Sequence, residues 1–147
     1  MIWKTQEFAY APVHGNGGTP IVVDDLLIYS CDGKADPFVV ALDKNTGKMR
    51  WKTERVAEVG RKFSFSTPLL IDVEGERQLI TSGSGTVLAL EPTTGEVLWR
   101  VDYGEGYSVI PKPVFANGLL FVCSGYGRPN LLAIRPDGRG NVTDSHV

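Results

Sequence analysis

Cysteine, histidine and methionine are all scarce in this chain, at two residues each among 147. Cys31 and Cys123 lie far apart in sequence, at the ends of comparable strands of separate repeats. A repeat array holds such positions apart, so the expectation is two half-buried free thiols rather than a disulfide. No metal-ligand cluster accompanies them. His14 and His146 have no companion at ligand or catalytic-triad spacing and read as solvated loop residues. Charge of one sign is also missing: 15 basic residues against 17 acidic ones give a net charge of −2, with no run of Lys and Arg to neutralise several phosphates together. That argues against nucleic acid as a partner. The longest apolar runs, such as Leu119 to Cys123, are strand-length, so the chain as given carries no membrane span, and its first residues lack the basic-then-hydrophobic order of a secretion signal. Helical spacing over ten or more residues is absent as well.

The chain does have a period. Residues Ala41 to Trp51 read Ala-Leu-Asp-Lys-Asn-Thr-Gly-Lys-Met-Arg-Trp, and Ala89 to Trp99 read Ala-Leu-Glu-Pro-Thr-Thr-Gly-Glu-Val-Leu-Trp. Ala, Thr, Gly and Trp recur in register 48 residues apart, and Trp3 stands the same distance before Trp51. A fixed period of this length takes precedence over the single-core reading that length alone suggests.

Each repeat reads as four antiparallel strands. In the first, Pro20 opens Ile21 to Val23, Asp24-Asp25 turns into Leu26 to Cys31, a loop returns into Phe38 to Leu42, and Asp43 to Gly47 turns into Lys48 to Thr53. The second runs Leu69 to Asp72, Arg77 to Thr81, Thr86 to Leu90 and Glu96 to Val101. Its Ser82 to Gly85 is read as the link between the middle strands. The third has Val114 to Ala116, the Asn117-Gly118 hairpin signal, Leu119 to Cys123 and Asn130 to Ile134. Its turn at Asp137-Gly138 is longer, and the chain stops before an equivalent Trp. The expected organisation is one partial domain: residues 1–5 as the end of a preceding blade, 6–53 and 54–101 as blades, and 102–147 as an incomplete blade.

Four-stranded units of this length arranged radially give an all-β fold, a β-propeller of four-stranded antiparallel blades, here about three blades of a larger ring. An isolated sheet has two faces and no cover, so it must bury them against neighbours. A recurring Trp suits that task, since burying one removes about 150–250 Å² from water, or roughly 4–6 kcal/mol as an upper bound. Three blades leave two faces uncovered, so the chain is expected either to associate through them or to be poorly stable.

The frame Ala-x-Asp/Glu-x-x-Thr-Gly-x-x-x-Trp resembles the tryptophan-docking motif of the pyrroloquinoline-quinone-like, or quinoprotein-type, β-propeller repeats, a group that includes BamB-type proteins and quinoprotein dehydrogenases. Ala41, Asp43, Thr46, Gly47 and Trp51 match it, as do Ala89, Glu91, Thr94, Gly95 and Trp99. The third repeat keeps Ala133 and Gly138, has Asp137 in place of Thr and loses the Trp register. The resemblance implies the fold and a periplasmic or other extracytoplasmic setting. It implies little about activity, because the motif serves packing.

Dehydrogenases of this group have a quinone site that includes a ring formed by an adjacent Cys-Cys pair and a calcium ion held by carboxylate and amide groups. This chain has no Cys-Cys pair. The expectation is therefore no catalytic residue, no cofactor site and no metal site, with pyrroloquinoline quinone and calcium implied only if the chain is a dehydrogenase fragment. Asp43 to Gly47 does not fit an EF-hand loop, because Gly47 stands at the fifth position where a ligand is needed. Glycine clusters at Gly15 to Gly18 and Gly83 to Gly85 precede no helix and read as turns. Asn141-Val142-Thr143 fits a glycosylation acceptor, and Ser64, Ser66 and Ser108 lack an identifiable base. What remains is a binding surface at the connections before each first strand, where His14, Arg61 and Tyr107, with Phe63, Phe65 and Tyr126, are candidates to meet a protein or small ligand. Packing between blades explains the aromatics equally well. The preferred reading is a noncatalytic scaffold or interaction module, against a quinoprotein dehydrogenase fragment or a sensor module fused to a signalling domain.

Overall fold

The structure is a computed structural model that describes every residue except Arg128. Three antiparallel sheets follow one another along the chain. The first comprises β1 (Ile21–Val23), β2 (Leu26–Cys31), β3 (Phe38–Asp43) and β4 (Met49–Glu54), paired in sequence order. The second contains β5 (Leu69–Val73), β6 (Glu76–Gly83), β7 (Thr86–Leu90) and β8 (Val97–Asp102). The third contains β9 (Val114–Ala116), β10 (Leu119–Cys123) and β11 (Leu131–Ile134). Two of the β-hairpins turn on Glu74-Gly75 and Asn117-Gly118, where both residues have positive φ, the geometry of the two-residue turns that follow strand twist.

Cross-strand register shows what the period encodes. Ile21, Ile28, Ala41 and Trp51 stand opposite one another across the first sheet. Leu69, Ile80, Ala89 and Trp99 form the same row in the second. In the third, Val114, Phe121 and Ala133 form the row, which ends there. The first row packs with Leu79, Leu88 and Leu90 of the second sheet in one core. The second row packs with Leu120, Val122 and Ile134 of the third sheet in another. Small Ala in the first two rows therefore sits beside a large Trp on the face that meets the next blade, and stacked faces bury what one sheet cannot.

Several expectations change. The link at Ser82 to Gly85 is shorter than read, because β6 continues through Ser82 and Gly83, which pair with Val87 and Thr86. Cys31 is fully buried rather than half-buried; Cys123 is intermediate, and both thiols are free. A short helix, α1 (Thr143–His146), is present where none was expected. The first blade is not bare on its outer face, since Trp3, Phe8 and Tyr10 pack over Cys31, Phe38, Val40 and Leu42. Residues after β11 do not stay with the third sheet. Instead β12 (Gly140–Asn141) pairs in parallel with β8, Gly140 opposite Trp99, and Val142 enters the second core.

Candidate functional site

Asp43 is fully engaged in its own turn. Its Oδ1 accepts hydrogen bonds from the amides of Asn45 (3.0 Å) and Thr46 (2.9 Å) and from the Thr46 hydroxyl (3.0 Å). Those donors, the Thr46 amide foremost, hold its carboxyl below the usual range. Glu91 does the same one carbon further out, its Oε2 accepting from the Thr93 and Thr94 amides and the Thr93 hydroxyl. Burial pushes the Glu91 carboxyl up, but these donors outweigh it and leave it lowered. Asp and Glu are thus interchangeable at this position because both organise a turn.

The organised turn is a receptor for the preceding Trp. Trp51 Nε1 donates to the carbonyl of Pro92 (3.0 Å), and the Thr53 hydroxyl donates to that of Gly95 (2.6 Å). Trp3 Nε1 donates to the carbonyl of Lys44 (2.9 Å), the corresponding place one repeat earlier. A Cβ at Gly47 would stand 2.6 Å from the Trp3 ring, and one at Gly95 2.5 Å from Trp51. Both glycines also have positive φ, 73° and 75°, so glycine is required twice over, by conformation and by the approaching indole. Ala41 and Ala89 are fully buried beside Trp51 and Trp99.

Trp99 is held differently. Its Nε1 donates to Oε1 of buried Gln78 (2.8 Å), whose Nε2 donates to the carbonyl of Pro136 (3.0 Å). Gln78 relays the indole to the third repeat, which lacks the Thr-Gly turn.

Between the first two blades lies a buried ionic cluster that the sequence did not reveal. Asp32 and Arg55 pair at 2.9 Å with both side chains at 0% exposure. Arg55 also donates to the Thr81 carbonyl (3.1 Å) and hydroxyl (2.6 Å) and lies against Gly83. Burial raises the Asp32 carboxyl despite Arg55, and its Oδ2 has no hydrogen-bond partner among the described residues. Arg55 directly follows β4, just past the frame, and no periodic signal marks it, since 48 residues away stand Glu7 and Tyr103.

The connections bring the expected binding candidates together. His14 meets Phe63 edge-on at 5.7 Å, Phe63 meets Tyr107 at 5.4 Å, and Tyr107 meets Tyr126 at 5.4 Å, making a continuous aromatic row. The Arg61 guanidinium lies 4.6 Å over the Tyr107 ring and donates to its hydroxyl. Phe63 and Phe65 are half-buried, whereas Tyr126 is 70% exposed. Arg61, Tyr107 and Tyr126, with Glu58 and Gly106, line a groove of about 390 Å³. Ser64 and Ser66 are buried and donate to the carbonyls of Val109 and Pro111, which stitches neighbouring connections together. Ser108 has positive φ, and its amide donates to the Phe63 carbonyl.

His146, half-buried, lies 3.5 Å from Asp137 and beside the Ser145 hydroxyl. Asn141 is exposed, its Oδ1 accepting from the amide and hydroxyl of Thr143. Among the described residues no three His, Cys, Asp or Glu side chains converge as metal ligands, and no helix is long and apolar enough to cross a membrane. Cys31 in β2 and Cys123 in β10 belong to different sheets.

Residues 35–140 match the family model described as outer membrane protein assembly factor BamB. The uncharacterized protein RC0314 of Rickettsia conorii is 30% identical over 122 residues, covering 74% of this chain and 28% of that one. The quinoprotein ethanol dehydrogenase of Pseudomonas aeruginosa is 34% identical over 102 residues, 63% of this chain and 16% of the enzyme. Among solved structures, BamB from Moraxella catarrhalis superposes with a TM-score of 0.53 at 18% identity, over 79% of this chain and 36% of that one. Quinohemoprotein alcohol dehydrogenase ADHIIG from Pseudomonas putida HK5 gives 0.59 at 20% identity, over 86% and 20%. Those two likenesses establish the β-propeller fold. The chain spans less than a third of the length of the two sequence relatives.

Proposed function

We propose, from the premise that this chain belongs to the BamB-like family of pyrroloquinoline-quinone-type repeat propellers, that it is a noncatalytic interaction module that meets its partner at the Arg61–Tyr107–Tyr126 groove. The observation that carries the reading is a division of labour. The frame residues are committed to docking blades, while an exposed Tyr and an Arg–Tyr stack stand at the connections beside a groove. Tyr and Arg in a partly apolar pocket are the composition of interface anchors. The family relationship also supports an extracytoplasmic setting such as the periplasm.

Photo-crosslinking tests this. A photoreactive residue replacing Tyr126 in the native host is expected to trap a discrete adduct, and the same residue at exposed Val22 is not. Equal labelling from both positions would contradict the assignment. The rival, a dehydrogenase fragment, is favoured by the kinship to an ethanol dehydrogenase. Adding pyrroloquinoline quinone with calcium separates the two: the module reading expects no change in absorbance or thermal midpoint, and stoichiometric uptake would sink it.

A further inference from the structure

The groove at the connections extends beyond its Arg61–Tyr107–Tyr126 wall. Glu58, Val59 and Gly104 line both this groove of about 390 Å³ and a second hollow of about 430 Å³, whose other residues include Arg100 and Asp102. The two adjoin as one trough. Part of its lining is bare backbone at Gly60 and Gly104, where an added Cβ would meet nothing of the chain within 4 Å. Gly104 needs glycine for its φ of 72°, whereas neither φ nor packing within the chain demands it at Gly60. A trough of this shape suits an extended ligand.

Its polar groups are donors. Arg61 uses one N–H on the Tyr107 hydroxyl and lies over that ring, while its Nε and Nη2 have no acceptor among the described residues. The hydroxyl of exposed Tyr126 has no partner among them either. The backbone of this wall is already paired: the Tyr107 and Tyr126 amides each donate to the other's carbonyl (3.3 and 2.7 Å), which leaves no open edge there for a β-strand to join. A fitting ligand therefore brings carbonyl acceptors and has no need to place backbone N–H groups. A proline-rich segment in the polyproline II conformation is of that kind, with its carbonyls unpaired and no N–H at each proline. Tyr107 and Tyr126, edge to face at 5.4 Å, offer two aromatic surfaces for proline rings. Charge adds a further element. The Arg61 charge is set against the Tyr107 ring, and Asp102 pairs with Arg100 at 3.1 Å, whereas exposed Glu58, where groove and hollow meet, has no ion-pair partner among the described residues.

We infer, resting on the reading of this groove as the interaction site, that its occupant is a proline-rich segment of a partner protein in the polyproline II conformation. The prolines lie on Tyr107 and Tyr126, the segment's carbonyls accept from Arg61 and the Tyr126 hydroxyl, and a Lys or Arg beside the prolines reaches Glu58. Such a segment is largely preformed, so it gives up little freedom on binding to an open trough.

Fluorescence anisotropy of the 147-residue chain with fluorescein-labelled peptides tests this. The probe Gly-Pro-Pro-Leu-Pro-Pro-Arg-Gly is expected to bind, and its Pro-to-Ala counterpart and an alternating Thr-Val peptide with the same Arg are expected to bind about tenfold more weakly or not at all. Tyr126→Ala, at a side chain 70% exposed, is expected to lose about tenfold or more while its circular dichroism stays that of wild type. Gly60→Leu, which adds bulk where the chain leaves open space, is the second variant and should weaken binding likewise. Glu58→Gln should lose about two- to fivefold with the Arg peptide and nothing once that Arg is replaced by Gln. The proline peptide is also expected to suppress the Tyr126 photo-crosslink. No binding at millimolar proline peptide, binding that both Tyr126→Ala and Gly60→Leu leave unchanged, or preference for the Thr-Val peptide overturns the inference. A Tyr126 adduct that the proline peptide does not compete away overturns the proline-rich occupant alone, whereas the absence of both adduct and peptide binding overturns the groove reading with it.

Discussion

The two blade junctions use the same Trp in different ways. At the first, Trp51 reaches the Pro92 carbonyl directly, and the Thr-Gly turn of the second blade closes over it. At the second, Trp99 reaches Pro136 only through Gln78, and Val142, returning from the far side of the third blade, joins its core. The difference locates the specificity of the motif in the receiving turn. Where Asp or Glu gathers the Thr amides and Gly admits the ring, the indole docks alone. Where the turn has changed to Pro136-Asp137-Gly138, an amide side chain spans the gap and the terminal segment covers the edge. A buried indole N–H must find an acceptor in either case, because leaving it unpaired is costly.

The comparison is broken hardest by removing either ring. Trp99→Ala and Trp51→Ala are each expected to cost about 3–5 kcal/mol in denaturant unfolding, with Trp99 at the upper end because it is fully enclosed while Trp51 is 7% exposed. Half-buried Trp3 should cost less under dilute conditions. Arg55→Met is expected to cost about 3–5 kcal/mol because it strands Asp32, and pairing it with Asp32→Leu should recover much of that loss. Should the double variant be worse than either single one, the ionic cluster would be a net stabiliser of the first junction. Gln78→Leu sharpens the contrast. It should cost about 1–3 kcal/mol by unpairing Trp99 Nε1 and the Pro136 carbonyl, and the penalty should shrink in a Trp99→Phe background.

The smallest effect is a slope with pH. Burial pushes the Cys31 thiol and the Tyr29 and Tyr103 hydroxyls up to about 12. All three pKa values are raised in the folded chain, so the stability they contribute is complete below their ordinary ionisation near 9–10 and is lost as pH rises toward about 12. Thermal midpoints should hold near neutral pH and fall in that alkaline window. A Cys31→Ala variant should show a shallower fall than wild type.

Much of this fold was legible because its determinants repeat. The Ala-to-Trp frame fixed the strand rows, and the Asn117-Gly118 signal placed a turn that is present. Arg55 and Gln78 were not legible, since each does its work once. Neither belongs to the periodic frame, and their partners lie 23 and 58 residues away along the chain. The crossing of β12 onto β8 was hidden for a related reason. With the Thr-Gly turn degraded, nothing in residues 135–147 states which sheet they join, and the choice falls to the core that accepts Val142. His14, Arg61 and Tyr107 were nominated only from their position in the connections. Their assembly into one aromatic row depends on backbone pairing between those connections, such as Tyr107 with Tyr126 and Phe65 with Val109.

The central claim is that the frame is a ring-and-turn dock between blades, and a double-mutant cycle on Trp51 and Gly95 tests it. Gly75→Ala, at a positive φ with nothing within 4 Å, measures backbone strain alone and should cost about 1–2 kcal/mol. Gly95→Ala should cost clearly more, because its Cβ meets the Trp51 ring. In a Trp51→Leu background the excess should vanish and the cost fall to the Gly75→Ala level. Additive losses, with Gly95→Ala equally harmful whether or not Trp51 is present, would contradict the account.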